Sequence, residues 1–374
     1  MKKIFIISAV LLAVVLLFLG IYNFAFKEDV AVKKQITTEI KNSDIVPAAL
    51  EKITVISDGA VLGPVVDKKT EKIKYYDADT GFVWEMESDG KGKRKISDTR
   101  LTGLKNVLWS PDNSKVLTTI KKDGKYSFYE YDYLSQKGVA LKDGLDNAVW
   151  DNIGTKIFYK YFDNVAKERT LNIANPDGSG WQKIIDTDIR NIVIAPIPFT
   201  SFVSFWNFPN ANEETKLQMI GVTGGEIKTL VSGKYGADYL WSLKGDKVLV
   251  SALASNGSKN IMLGVATING KYQELGIPTF ASKCVWSQDG KTVYYALPVG
   301  IPSGSVMPND YLENKFTTED TFWKMDITTG EKDRIIETTD IKGKYDSINM
   351  FLSATEDALY FVNKIDQKLY RLEF

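Results

Sequence analysis

Short segments in which apolar and polar residues alternate recur along the chain from about residue 52 onwards. Typical examples are Lys115-Val-Leu-Thr-Thr-Ile, Lys247-Val-Leu-Val-Ser-Ala and Thr292-Val-Tyr-Tyr-Ala-Leu. Each has the composition and length of a β-strand. Each also follows a Trp and a polar turn segment, as in Trp109-Ser-Pro-Asp-Asn-Ser, where Asp and Asn supply turn chemistry. The pattern predicts an all-β protein built from one repeated unit.

The tryptophans that begin these units give the period of the repeat. Trp109 and Trp150 are 41 residues apart, and Trp241 and Trp286 are 45 residues apart. A period of this length is typical of a four-stranded propeller blade. The 91 residues from Trp150 to Trp241 are enough for two blades. In the second of these blades the expected Trp-Ser-x-Asp segment has become Ala195-Pro-Ile-Pro-Phe, without a Trp.

Seven blade-sized units follow from this spacing, although the weak fourth unit leaves six or eight open. The last unit has only three strands, and an isolated strand at 53–57 could supply the fourth and close the ring. Residues predicted to fill the seams between blades are Trp109, Trp150, Trp241, Trp286 and Phe351. The units span 61–97, 105–141, 147–186, 192–231, 237–275, 283–337 and 347–374.

The Trp-Ser-Pro-Asp-x-x-Lys pattern resembles the WD40-like (PD40) repeats of the TolB-type β-propeller family. The resemblance covers the chain from about Lys52 to Phe374 and implies the propeller fold. It implies little about activity, because propellers with this repeat serve as adaptors, as periplasmic receptors and as non-catalytic partners of hydrolase domains.

The N-terminal segment predicts a membrane anchor. No charged residue occurs from Ile4 to Phe26, and these 23 residues would form a helix about 34 Å long, enough to cross a bilayer core of about 30 Å. Lys2 and Lys3 precede the segment, which favours a cytoplasmic N-terminus and an extracytoplasmic propeller. A cleaved signal peptide is the alternative, but no Ala-x-Ala site follows the apolar run. The predicted domains are an anchor at 1–26, a juxtamembrane linker at 27–51 and a propeller at 52–374.

Composition removes several functional classes. Basic and acidic residues balance at 47 each, which is not the charge distribution of a nucleic-acid-binding protein. The chain contains no His and one Cys, so we expect no Ser-His-Asp or Cys-His catalysis and no His-based or multi-Cys zinc site. Propeller lyases and quinone-type dehydrogenases that depend on histidine are therefore expected to be poor matches. We expect no catalytic residues, no metal and no cofactor, and hence no enzyme.

Two carboxylate pairs and the single thiol are further candidate sites. Carboxylate pairs at Asp77 with Asp79 and at Asp186 with Asp188 lie at turn positions, where we expect Asp to bond nearby backbone amides. Cys284 is expected to be a small buried residue on the same strand face as Trp286.

An insertion between Leu297 and Phe322, rich in Pro and Gly, interrupts the sixth unit. Insertions in repeat proteins form loops on one face, often the binding face. Two interpretations stay open: the segment packs on its own rim, or its side chains contact a partner. The candidate interaction residues are Pro302, Met307, Tyr311, Leu312 and Phe316.

The anchor and the repeat favour a single-pass, membrane-anchored, extracytoplasmic propeller that acts as a non-catalytic platform for an envelope protein. The alternative is a carboxylate-dependent glycan-processing or glycan-binding propeller. The alternative predicts an acidic pocket at the mouth of the propeller.

Overall fold

A computed structural model describes residues 51–374. The predicted anchor at 1–26, and the predicted linker apart from Glu51, lie outside the described residues. Within 51–374, no helix has the length and apolar character needed to cross a membrane.

The described residues form seven four-stranded antiparallel sheets, which confirms the predicted all-β propeller with seven blades. In blades 1 to 6 the strands follow chain order from the innermost to the outermost. The first strand, β1 (Ile53–Val55), belongs to blade 7. The strands of blades 1 to 3 are β2 Val61–Val66, β3 Ile73–Asp77, β4 Val83–Met86, β5 Arg94–Ser97; β6 Leu104–Trp109, β7 Lys115–Lys122, β8 Lys125–Asp132, β9 Lys137–Ala140; β10 Leu145–Trp150, β11 Ile157–Phe162, β12 Arg169–Ala174, β13 Gln182–Asp186.

Blades 4 to 7 complete the ring. Their strands are β14 Ile192–Pro196, β15 Phe202–Asn207, β16 Leu217–Gly221, β17 Lys228–Val231; β18 Tyr235–Trp241, β19 Lys247–Leu253, β20 Ile261–Thr267, β21 Tyr272–Ile277; β22 Cys284–Trp286, β23 Thr292–Val299, β24 Glu319–Asp326, β25 Lys332–Arg334; β26 Ser347–Leu352, β27 Ala358–Asn363, β28 Leu369–Glu373. One short α-helix, α1 (Asn309–Leu312), lies in the insertion, and 3₁₀ turns lie at Ala281–Lys283 and Thr338–Asp340.

Blade 7 is closed by the strand that begins the described chain. Its order is β1-β28-β27-β26, and Ile53 pairs with Leu372 while Val55 pairs with Tyr370. The predicted closure by residues near 53–57 is therefore confirmed. Joining the two ends of the chain in one sheet leaves no open seam in the ring.

The tryptophans lie at the seams between consecutive blades. The indole N–H of Trp150 donates to the main-chain oxygen of Leu108 at 2.8 Å, and that of Trp286 donates to the oxygen of Leu240 at 3.1 Å. Trp109 makes the same kind of bond to Gly63 at 2.8 Å. Trp241 donates instead to the hydroxyl of Ser204, also at 2.8 Å. Each bond crosses to the preceding blade, so the indole fills the seam and satisfies its own donor there.

In blade 7, the residue at the anchor position is one residue later in the sequence than predicted. Trp286 pairs with Val293, and the residue at the same register in blade 7 is Leu352, which pairs with Leu359. Phe351 lies one position earlier and stacks on Tyr360 with ring centroids 5.1 Å apart. The prediction placed Phe351 in the anchor position because it matched the aromatic residue and not the Ser that follows the anchor, which is Ser353 here.

The direction of the strands puts two sets of loops on one face of the ring. Because neighbouring strands are antiparallel, the loops joining second to third strands emerge at the same end as those joining one blade to the next. The insertion, residues 300–318, joins β23 to β24 and belongs to this set. We call this side the insertion face.

Candidate functional site

The insertion packs on the rim of its own propeller. Met307 and Tyr311 are buried against Ala211, Leu253, Ile261 and Phe280. The rings of Tyr311 and Phe280 stack with centroids 4.6 Å apart.

The remaining candidate interaction residues differ in exposure. Phe316 is half-buried in the same cluster, whereas Pro302 and Leu312 are exposed. Three of the five candidate residues thus contribute to an internal cluster, and two remain at the surface.

A buried network of charges holds the insertion in place. The Tyr311 hydroxyl donates to Asp346 Oδ1 at 2.6 Å. The ammonium of Lys283 lies 2.7 Å from a carboxylate oxygen of both Asp346 and Asp320, and all three of these charged side chains are fully buried. Thr318, at the end of the insertion, donates its main-chain N–H to Asp346 at 3.1 Å. Buried charges of this kind are tolerated when each is paired and hydrogen-bonded.

The environment of Asp346 favours its ionised form. Burial alone would raise the pKa of this carboxyl, but the charge of Lys283 and the hydrogen bonds from Lys283 and Tyr311 together hold the pKa below its usual range. Lys364 lies over the Tyr311 ring, 3.7 Å from the centroid, and donates to the Tyr311 main-chain oxygen at 2.9 Å. Burial lowers the pKa of Lys364. Blade 7 therefore fixes the position of α1 from two sides.

The other end of α1 is tied to a loop of blade 4. Asn309 accepts a hydrogen bond from the main-chain N–H of Ala211 at 2.8 Å and donates to Asn210 at 3.2 Å. Between α1, this loop and the loop that joins blades 3 and 4 lies a cavity of about 950 Å³. We call it the inner cavity. Its lining residues are Asp188–Asn191, Asn207–Asn210, Glu213, Glu214, Lys216, Gln218, Asn309, Leu312 and Glu313.

Hydrogen bonds and an ion pair position the loop Asp188–Asn191, which forms one wall of the inner cavity. Lys160, buried in β11, pairs with Asp146 at 2.6 Å and donates a hydrogen bond to the main-chain oxygen of Arg190. The N–H of Phe208 donates to the main-chain oxygen of Asn191 at 2.6 Å. The polar side chains on these loops are consequently presented from fixed backbone positions.

Several polar side chains of the inner cavity are unengaged within residues 51–374. Those without a hydrogen bond or ion pair there are Asp188, Arg190, Asn191, Asn207 and Gln218. Each amide offers one acceptor oxygen and two donor hydrogens. Phe208, 49% exposed, and Leu312, 36% exposed, add apolar surface. A concave site with converging polar groups and some apolar wall is typical of a ligand-binding pocket.

The sequence-based candidates for carboxylate chemistry are not brought together as facing pairs. Asp77 accepts hydrogen bonds from the N–H groups of Asp79, at 3.1 Å, and Thr80, at 2.7 Å, as expected for a turn. Asp186 pairs with Lys183 at 2.9 Å, and only Asp188 faces the inner cavity.

The single thiol is enclosed. Cys284 is buried, its Sγ lies 3.3 Å from the main-chain oxygen of Phe280, and burial raises the pKa of the thiol. A protonated, enclosed thiol is a weak nucleophile, as the sequence-based interpretation of Cys284 as a small buried residue expected.

The inner cavity itself was missed by the sequence-based analysis. A signal was present, because the segment from Asn207 to Gln218 contains three Asn and two Glu where the repeat predicts only a short loop. Its significance depends on Asp188–Asn191 and α1, which lie far away in sequence. Within residues 51–374, no group of three or more His, Cys, Asp or Glu side chains is placed to hold a metal ion.

No protein-family model matches this sequence, and no curated protein sequence matches it either. Solved structures do match. An oligogalacturonate lyase in complex with manganese is 12% identical, with a TM-score of 0.62, and the match covers 87% of this chain and 91% of that one. The β-propeller domain of the Trilobed protease from Pyrococcus furiosus is 11% identical, with a TM-score of 0.56, covering 85% of this chain and 94% of that one.

TolB from Acinetobacter baumannii is also similar, at 13% identity and a TM-score of 0.46, covering 75% of this chain and 64% of that one. The propeller fold that the resemblance to TolB-like repeats implied is established by the seven sheets themselves. At these identities the similarities concern architecture alone.

The prediction that the protein is not an enzyme, which rested on the absence of histidine and of a recognisable catalytic motif, is wrong: oligogalacturonate lyases share this architecture over most of the chain, so the fold does not exclude an enzyme. The expectation that propeller lyases would match poorly is likewise wrong for the fold. The absence of histidine rules out particular catalytic groups, but it does not make the fold a non-enzymatic one.

Proposed function

We propose that this propeller binds a glycan on its insertion face, in the inner cavity. The observation that carries the proposal is the set of unengaged amides and charged groups, Asn191, Asn207, Gln218, Asp188 and Arg190, around one cavity of about 950 Å³. Asn207 and Gln218 are half-buried, whereas Asp188, Arg190 and Asn191 are exposed to solvent. A ligand whose donors and acceptors replace the water at these groups can bind at this position.

Sugars meet the chemical requirements of the lining. Each hydroxyl is both a donor and an acceptor, and so is each amide side chain. The exposed faces of Phe208 and Leu312 are suited to the C–H face of a sugar ring. The lining carries both signs of charge, with Asp188, Glu213, Glu214 and Glu313 against Arg190 and Lys216, and these groups can accept hydrogen bonds from sugar hydroxyls or donate to them.

The proposal includes a membrane tether formed by residues 4–26. An extracytoplasmic location, which the basic residues Lys2 and Lys3 favour, would expose the insertion face to envelope or surface polysaccharides.

Binding of fluorescently labelled cello-, chito- and malto-tetraose to the full-length protein tests the proposal. At least one tetrasaccharide should bind, and Asn207→Ala and Gln218→Ala should each weaken binding about tenfold, as expected when a hydrogen bond worth about 1.4 kcal/mol is lost. Asn212→Ala, an exposed Asn on the same loop that does not line the cavity, is the matched control.

Binding of a labelled tetrapeptide in place of every sugar would contradict the proposal, as would equal effects of the cavity and control variants. The same incubations should be analysed for shortened sugars, since enzymes also adopt this fold. Cleavage products that disappear in the Asp188→Asn variant would extend binding to catalysis.

A protein partner is the second candidate function. It is favoured by exposed apolar residues on and next to the insertion, Val299, Ile301 and Val306, which have no role in the inner cavity. Deleting residues 302–316 would be a poor test, because Met307 and Tyr311 belong to an internal cluster. A Val299→Ser, Ile301→Ser and Val306→Ser triple variant keeps that cluster, and it should lose a partner that depends on this surface.

A further inference from the structure

A second cavity adjoins the inner cavity on the insertion face. It has a volume of about 580 Å³ and shares the residues Asp188, Ile189 and Gln218 with the inner cavity. We call it the outer cavity. Its own lining residues are Lys167, Glu168, Arg169, Ile185, Asp186, Thr187, Phe205 and Ile227. Since the same three residues line both spaces, the two cavities are consecutive parts of one groove.

The groove follows the seam between blades 3 and 4. At its inner end stand Asn309, Leu312 and Glu313 of the insertion. At its outer end stand Ile185 and Asp186 of β13, the outermost strand of blade 3, and Ile227, which precedes the outermost strand of blade 4. A ligand lying in the groove would extend from near the mouth of the propeller towards its outer edge.

The outer cavity has polar and apolar walls of its own. Lys167 and Glu168 have no ion-pair partner within residues 51–374, and the Arg169 guanidinium lies 4.4 Å from the centre of the Phe162 ring. Ile227 is exposed at the opposite wall. Each of the two volumes falls in the range of about 300–1,000 Å³ that is typical of a complete ligand pocket, so a single small ligand would occupy only one of them.

We infer that the groove binds an oligosaccharide chain across at least two subsites, with Asp188 and Gln218 at their junction. This inference rests on the proposed function and specifies its ligand as a chain longer than a disaccharide. One sugar end lies against the amides Asn191 and Asn207, and the chain continues past Gln218 between Arg169 and Ile227. Affinity should therefore depend on chain length until both cavities are filled.

A length series tests the inference with the full-length protein. The disaccharide, tetrasaccharide and hexasaccharide of the cello-, chito- and malto- series are titrated in turn. The tetrasaccharide of the series that binds should bind at least tenfold more tightly than its disaccharide. The hexasaccharide should gain little more, because the groove is then filled.

Two classes of variant separate the subsites. The Arg169→Ala and Ile227→Ala double variant, altered only in the outer cavity, should weaken the tetrasaccharide about tenfold and leave the disaccharide within twofold. Asn207→Ala, altered only in the inner cavity, should weaken both. Thr223→Ala, an exposed residue of blade 4 outside both cavities, is the control, and the circular dichroism of each variant should match that of the parent.

Equal affinity for the disaccharide and the tetrasaccharide would overturn the subsites and leave the proposed function standing. The same holds if the outer variant weakens both lengths equally. Failure of every length to bind would overturn the proposed function and this inference with it.

Discussion

The two halves of the insertion face use their polar groups in opposite ways. Over blades 5 to 7, the insertion is held by Tyr311, Asp346, Asp320 and Lys283, and these side chains bond to each other inside the protein. Over blades 3 and 4, side chains such as Asn207 line a cavity without protein partners. Polar groups that bond internally contribute to a defined structure, and those left unbonded in a concave surface are free to bind a ligand. Substitutions in the first half should change stability, and substitutions in the second should change binding.

The largest effect is expected from Lys283→Ala. It would leave Asp320 and Asp346 buried without their shared cation, and removing one partner of a buried ion pair costs about 3–5 kcal/mol. The free energy of unfolding, measured by chemical denaturation of the full-length protein, should fall by that amount. Lys244→Ala, at an exposed lysine without an ion-pair partner in residues 51–374, should change it by less than about 0.5 kcal/mol. If the two variants lowered the free energy of unfolding equally, the buried charge network would not stabilise the protein as described.

The pH dependence of protein stability should reflect the ionisation of the Asp346 carboxyl. Its pKa is lower in the folded state than the value of about 3.9 expected in the unfolded chain. The contribution of the ionised carboxylate is therefore fully present above pH 4 and is lost as the pH falls through the folded pKa. The difference in Tm between the parent and Asp346→Asn should be large at pH 7 and should shrink below pH 4. A difference that stays constant across this range would contradict the assignment.

A smaller effect is expected from Tyr311→Phe. The substitution keeps the ring stacked on Phe280 and removes only the donor to the Asp346 carboxylate, a bond to a charged group worth about 1.5–3 kcal/mol. Limited proteolysis should then cut the insertion, residues 300–318, faster than in the parent. Tyr126→Phe, at an exposed tyrosine of blade 2, should leave the cutting rate unchanged.

The smallest effect on stability is expected from Asn207→Ala in the groove. Its side chain makes no bond in the described part of the chain, so the free energy of unfolding should change by no more than about 0.5 kcal/mol. The same variant is expected to lose about tenfold in glycan affinity. A large loss of stability here would show that the two halves of the insertion face do not differ as described.

The repeat could be predicted from the sequence because its determinants are local. Trp109, Trp150, Trp241 and Trp286 each begin a turn followed by an alternating strand, and the four-stranded blade follows from strand length and spacing. Phe351 shows the limit of this reasoning. An aromatic residue beside the expected position was favoured over Leu352, whose register is set by its pairing with Leu359.

Closure of the ring could also be predicted from the sequence, since the last unit had only three strands and the strand at 53–57 belonged to no other blade. The insertion was recognised as an irregularity with two open interpretations. Met307 and Tyr311 pack against Leu253 and Ile261, so for these two side chains the interpretation that the insertion packs on its own rim is correct. That outcome depends on the curvature of the ring, which places blades 4 to 7 within reach of one loop.

The alternating strands, the Trp period and the missing strand were determined by the sequence alone, because each depends on residues within one or two blades. The groove was decided only by the tertiary structure. Asp188, Asn207, Gln218 and Asn309 come from three separate segments, and no local pattern relates them. They meet because the closed ring brings blades 3, 4 and 6 around one mouth, and because a buried charge network over blade 7 fixes where the insertion ends.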